Sequence, residues 1–176
     1  MFEQPFRVLG IDPGLTRCGY AVVDGSSPSA ATAVALGVLG TPVTDPLPQR
    51  LASLAAQLTA LLDEYRPAAV AVEQVFFQVN VRTAMSVAQA SGLALATAAA
   101  KGCDVAQYSP NQVKDAVVGW GGAGKAQVAK MVKLRLGLSA PPKPADAADA
   151  AALALCHLAM APLRASVAEH TAGGRR

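Results

Sequence analysis

Residues 6–23 read FRVLGIDPGLTRCGYAVV, two apolar runs hinged on Asp12-Pro13-Gly14. A short apolar run closed by a turn signal is a strand pattern, and Tyr20 to Val23 continues as a second strand. Asp24-Gly25 followed by Ser-Ser-Pro28 makes the next turn, and a third strand over roughly Thr32 to Leu39 completes an antiparallel meander. The period then changes. Asp45-Pro46 is expected as a helix N-cap followed by proline at the first helical position, and Leu47, Leu51, Leu54, Leu58, Leu61 and Leu62 recur at helical spacing up to Arg66-Pro67.

Ala68 to Val72 is apolar on both faces, as befits a strand in the middle of a sheet, and it ends at Glu73. An alanine-rich helix from about Arg82 to Lys101 follows, closed by Gly102, and Asp104 to Tyr108 reads as a fifth strand. Ser109-Pro110-Asn111-Gln112 has the form of a capping box with proline at the first helical position, which puts Lys114 on a helix. Gly119 to Gly124 is a glycine-rich loop, Lys125 to Leu136 another helix, and Pro141 to Pro144 a stiff approach to a last helix from Ala145 to about Met160. This order predicts an α/β fold with a mixed five-stranded sheet, the β1-β2-β3 meander plus two parallel strands, flanked by helices. One domain over residues 1–163 is expected, with 164–176 as a flexible tail.

At 52% hydrophobic and 15% charged residues the chain is too apolar and too lightly charged to be disordered. Its two most apolar stretches, Ala84 to Ala100 and Ala147 to Leu163, are interrupted by Ser86, Gln89 and Ser91 and by Asp149 and His157. Neither offers the ~20 continuous apolar residues of a membrane span. Met1 to Pro5 carries an acid where a secretory leader would be positive, and a cytoplasmic location is expected. Cys18, Cys103 and Cys156 form no CxxC pair and are expected as small buried apolar residues. The net charge of +3 is unevenly spread, because residues 101–143 carry seven basic and two acidic side chains. A basic segment of this kind fits a polyanionic partner, although a solvated helix face gives the same count.

Asp12 and Glu73 each stand directly after an apolar strand, where the chain has no local need for charge. Asp146 and Asp149 are three apart in the first turn of the last helix, on a face continued by Leu153, Cys156 and Met160 that points into the protein. If these four acids converge at one sheet edge they repel one another, and convergence implies a cation. An all-oxygen set suits Mg²⁺ or Mn²⁺, and a pair of such ions about 4 Å apart serves phosphodiester hydrolysis. The bland alternative leaves Asp12 in a turn, Glu73 at a strand end and the aspartate pair as helix caps.

Gly10-Ile-Asp12-Pro-Gly14 with Thr16 and Gly19, Glu73 to Phe76 followed by Asn80, Gln112-Val-Lys114 with Val117 to Gly119, and Ala145 to Leu153 together resemble the RuvC Holliday-junction resolvase family. The resemblance spans about residues 7 to 160 in the family's order and spacing. It implies a ribonuclease-H-like fold, a homodimer, two Mg²⁺ or Mn²⁺ ions per site, and symmetric nicking of a four-way DNA junction during recombination and repair. Asp12, Glu73, Asp146 and Asp149 match the family's metal-binding acids, and Lys114 and Lys125 resemble its basic residues near the cut phosphate. Phe76 looks like the aromatic side chain that stacks on a base of the opened junction, with Phe77 then expected in the core. Lys130 and Lys133 are further candidate DNA contacts from the basic segment. A branch-migration helicase and other junction-binding proteins are partners implied by the same resemblance.

Other readings compete. Gly119 to Lys125 fits GxxxxGK, but Ala126 stands where a P-loop needs Ser or Thr, and a helix precedes it where a strand is required. Asp12 to Thr16 also resembles the first phosphate loop of actin-like ATPases, which need a second lobe that 176 residues do not provide. A related nuclease acting on RNA and a catalytically silent junction-binding module remain as alternatives. Trp120 is either a loop anchor or a DNA contact, and His157 is expected packed on its helix.

Overall fold

The structure is a computed structural model that describes residues 6–75 and 81–173. Strands β1 (Phe6–Asp12), β2 (Arg17–Ser27) and β3 (Ala30–Gly40) form the antiparallel meander. Helix α1 (Leu47–Tyr65) crosses to β4 (Ala69–Glu73), helix α2 (Val81–Ala100) to β5 (Asp104–Tyr108), and helices α3 (Pro110–Val118), α4 (Lys125–Arg135) and α5 (Ala145–Gly173) follow. The sheet order is β3-β2-β1-β4-β5, with β1, β4 and β5 parallel. This is the five-stranded mixed sheet expected from the pattern of turns and periods.

Alternation along the strands divides the core in two. Leu9, Ile11, Val22, Val70 and Val72 face α1 and α2, where they meet Leu54, Leu58, Ala90 and Ala94. Val8, Ala21, Val23, Ala71 and Ala106 face α5, α3 and α4, and pack with Val113, Val128, Val132 and the alanine-rich stretch of α5. Helix α5 is buried continuously from Ala150 to Leu158, so its small side chains are what let it lie flat on the sheet and pack against α3 and α4. Its contact with the sheet is closest at two glycines. A Cβ built at Gly10 would overlap the carbonyl oxygen of Ala150, and one at Gly19 would overlap that of Asp146.

Several local expectations are corrected. Asp24, Gly25, Ser26 and Ser27, expected in a turn, belong to β2, where Asp24 pairs across the sheet with Arg7, and the turn is made by Pro28 and Ser29. Asp45 is not the cap of α1; Pro46 holds the N-cap position without a side-chain bond, and the Asp45 amide closes a turn onto the Pro42 carbonyl at 3.2 Å. A prolyl N-cap has no donor of its own to satisfy, and Pro48 near the start of α1 removes one of the free amides that a cap would serve. Helix α5 does not stop near Met160 but continues to Gly173 with Pro162 inside it. Proline there forfeits one backbone bond on an exposed turn, and the helix beyond it is tied back by Arg164, which donates to both Asp104 carboxylate oxygens at 3.0 and 3.2 Å. Cys18 and Cys156 are buried as expected, whereas Cys103 is half-buried with its thiol 3.4 Å from the Pro67 carbonyl.

Residues Ala145–Val167 are long and apolar enough to cross a membrane by length and composition. Half of that stretch is buried inside the domain. His157, within it, is 1% exposed, stacks on Phe6 at 6.0 Å between ring centroids and bonds Tyr108 Oη through Nδ1 at 2.9 Å. Such a polar anchor belongs to a helix packed in a protein core.

Gly10→Ala and Gly19→Ala are each expected to lower the unfolding free energy by about 2 kcal/mol or more, since the added methyl meets backbone that can yield only if α5 lifts off the sheet. Urea unfolding followed by circular dichroism measures the loss.

Candidate active site

Asp12 is the last residue of β1 and Glu73 the last of β4, and the two strands run parallel with Ile11 opposite Val72. Both carboxylates therefore leave the sheet at the same edge, where an α/β protein builds its sites. Asp146 and Asp149 enter from above on the first turns of α5, whose depth over β1 and β2 is set by the contacts at Gly10 and Gly19. Helix α3, started by the Ser109–Gln112 capping box with bonds of 3.2 and 2.9 Å, carries Lys114 to the same place. Lys125 arrives as the first residue of α4.

Asp12, Glu73, Asp149, Lys114 and Lys125 line one cleft of about 360 Å³, closed below by Val113, Val128 and Leu153. Lys125 Nζ donates to Asp149 Oδ2 at 3.1 Å. Asp146 is not among the residues lining the cleft and is engaged by Arg17, whose Nε and Nη2 donate to Oδ2 at 2.9 and 2.7 Å. Among the described residues, no three acid, histidine or cysteine side chains close tightly enough to enclose an ion as they stand. The acids are gathered, and two of them are turned toward cations of the chain.

Burial first, and then the charges of Glu73, Asp149 and Asp146, push the Asp12 carboxyl up to about 7, against an opposing pull from Lys125. Burial and Asp149 raise Glu73 as well, while Lys125 and Lys114 pull it down. The hydrogen bond to Asp149, with the charges of Asp149, Asp12 and Glu73, holds Lys125 above its ordinary value. A half-buried cleft with more carboxylates than cations is a place where a divalent ion is stabilised, and a lining whose donors are carboxylate oxygens suits Mg²⁺ or Mn²⁺.

The remaining candidates lie elsewhere. Lys130 is exposed and Lys133 half-buried on α4, and neither lines the cleft. Trp120 is 61% exposed in the loop between α3 and α4. Phe76 and Phe77 lie outside the described residues, as does Asn80. Sequence reasoning missed Arg17. Its signal was available, for a cation at the start of a strand, five residues after Asp12 in the DPG block, has no structural need for its charge.

A family model described as crossover junction endodeoxyribonuclease RuvC matches residues 8–157. The chain belongs to the RuvC family. A RuvC from Leifsonia xyli is 56% identical over 151 residues, covering 86% of this chain and 73% of that relative. One from Streptomyces avermitilis is 53% identical over 173 residues, covering 96% and 98%. The solved Thermus thermophilus RuvC in complex with a Holliday junction substrate superposes with a TM-score of 0.86 at 38% identity, covering 90% of this chain and 96% of that one. RuvC membership carries dependence on a divalent metal, which the oxygen donors and net negative charge of the cleft fit.

The folded state keeps a proton on Asp12 that the unfolded chain has lost, so stability falls as the pH rises from 3.8 to about 7. Without metal, Asp12→Asn is expected to melt about 4 °C above the unaltered protein at pH 8, the gap narrowing as the pH falls toward 4. Thermal melts in EDTA across that range measure it.

Proposed function

We propose that this chain, a crossover junction endodeoxyribonuclease of the RuvC family, resolves four-way DNA junctions with Asp12, Glu73, Asp146 and Asp149 as its metal-binding and catalytic acids. The observation that carries the reading is the Asp12 carboxyl, raised to about 7 by burial and three neighbouring acids, in a cleft that also holds Lys114 and Lys125. Asp12, Glu73, Asp146 and Asp149 would hold two Mg²⁺ or Mn²⁺ ions, whose chemistry there would be activation of water and stabilisation of the leaving oxygen. Asp12 and Glu73 supply oxygens from the sheet edge, and Asp146 and Asp149 supply them from the helix. Lys125, 83% exposed at its side chain, can leave Asp149 for a non-bridging phosphate oxygen, acting as a point charge on a flexible stem. Lys114 holds the strand from the α3 side of the cleft.

Phosphate contacts from Lys130 and Lys133 on α4 extend the same basic surface and make binding salt-dependent. Phe76 stacks on an unpaired base at the junction, which needs no sequence match and is worth roughly 1 to 3 kcal/mol. A junction with two equivalent strands calls for two sites related by a two-fold axis, so the working unit is a homodimer. Helix α2 is the interface, supported by the exposure of Met85 and Gly92 on a helix whose other face is buried. A branch-migration helicase supplies the junction, in the cytoplasm. The nuclease domain is residues 1–163, with α5 running on beyond it to Gly173.

The purified protein is expected to make paired symmetric nicks in a synthetic four-way junction and not in linear duplex of the same sequence, with cleavage abolished by EDTA. Asp12→Asn is expected to lower the cleavage rate at least ~100-fold while leaving junction affinity within about threefold. Tight junction binding without cleavage in either metal, or equal cleavage of linear DNA or RNA, would overturn the assignment.

A further inference from the structure

Arg17 is one of two basic side chains, with Lys125, that pair with any of the four acids among the described residues. Both of its bonding nitrogens fall on a single oxygen, Asp146 Oδ2, so the guanidinium does not form the two-pronged fork with both carboxylate oxygens that makes such pairs tight. The pair is also open to water, with Arg17 53% and Asp146 31% exposed at the side chain. A pair of this kind is easily exchanged. The backbone of Asp146 is fixed against Gly19, so its carboxylate can change partner by rotating without moving the helix.

We propose that Arg17 is a latch on Asp146. Its guanidinium and a divalent ion compete for the same carboxylate oxygen, and the arginine that the ion displaces becomes a contact for a phosphate of the bound strand. The claim rests on the reading of Asp146 as a metal ligand. A positive neighbour makes the second half physical: Arg50 donates to Thr16 Oγ1 at 2.8 Å and to Thr41 Oγ1 at 3.0 Å and has no acidic partner among the described residues. Arg50 is thereby held on Thr16, next in the chain to Arg17. Once Arg17 leaves Asp146, two guanidinium groups are held at the neighbouring residues Thr16 and Arg17. Metal uptake and strand binding are then coupled through one side chain, each favouring the other.

Direct binding of Mn²⁺, read as the free-ion signal in electron paramagnetic resonance without DNA, separates the possibilities. Arg17→Ala is expected to bind Mn²⁺ about two- to fivefold more tightly than the unaltered protein, and Arg17→Lys to recover most of the original affinity. In Ca²⁺, the salt dependence of junction binding should be shallower for Arg17→Ala by about one unit of slope, with no difference in EDTA, where Arg17 remains on Asp146. Unchanged or weaker Mn²⁺ binding by Arg17→Ala, while Asp146→Asn weakens it, would sink the latch and keep Asp146 as a ligand. If Asp146→Asn is also without effect, the underlying assignment of Asp146 fails. Tighter Mn²⁺ binding with equal salt slopes in Ca²⁺ would remove the phosphate contact.

Discussion

Two backbone carbonyls of α5, those of Asp146 and Ala150, occupy the space that a side chain would need at Gly19 and Gly10. Everything at the cleft depends on this contact. It brings a helix to within backbone distance of β1 and β2, and the first turns of that helix hold two of the four acids. The alanines from Ala147 to Ala154 serve the same end, since larger side chains would hold the helix away from the sheet and its carboxylates away from Asp12. At the other end of the contact His157, wedged between Phe6 and Tyr108, keeps the helix in register along the strands.

The second constraint is electrostatic. Burial first, and then the like charges that the glycine contacts bring together, raise the Asp12 and Glu73 carboxyls. The chain offsets part of this repulsion with cations from three elements: Arg17 from β2, Lys114 from α3 and Lys125 from α4. Arg17 and Lys125 stay largely exposed, which keeps them exchangeable, while Lys114 is half-buried. A buried, fully bonded pair in their place would occupy the carboxylate oxygens and close the cleft to a metal. Stability is given up where the chemistry needs uncompensated negative charge.

The division of labour across the sheet follows. The face toward α1 and α2 is packed with leucine and valine and carries no member of the cleft. The opposite face trades bulk for proximity, with alanine and glycine under α5. Rigidity comes from one side and close approach from the other, so the sheet edge that carries Asp12 and Glu73 is held firmly while helices deliver the remaining groups to it.

Much of this was legible in the residues. Turn signals and the change of period placed all five strands, the capping box placed Lys114 on its helix, and carboxylates directly after apolar strands marked Asp12 and Glu73, because these are local consequences of backbone geometry and solvation. The helix boundaries at Asp45 and Met160 were misread for the converse reason. Whether a cap forms or a proline is tolerated depends on tertiary partners such as Asp104, which the local pattern does not contain. The pairing of Arg17 with Asp146, 129 residues apart, is of the same kind. Sequence determined which groups stand at the ends of which elements; only the tertiary structure decided which of them face one another, because that choice is made by the close packing of α5 on two glycines.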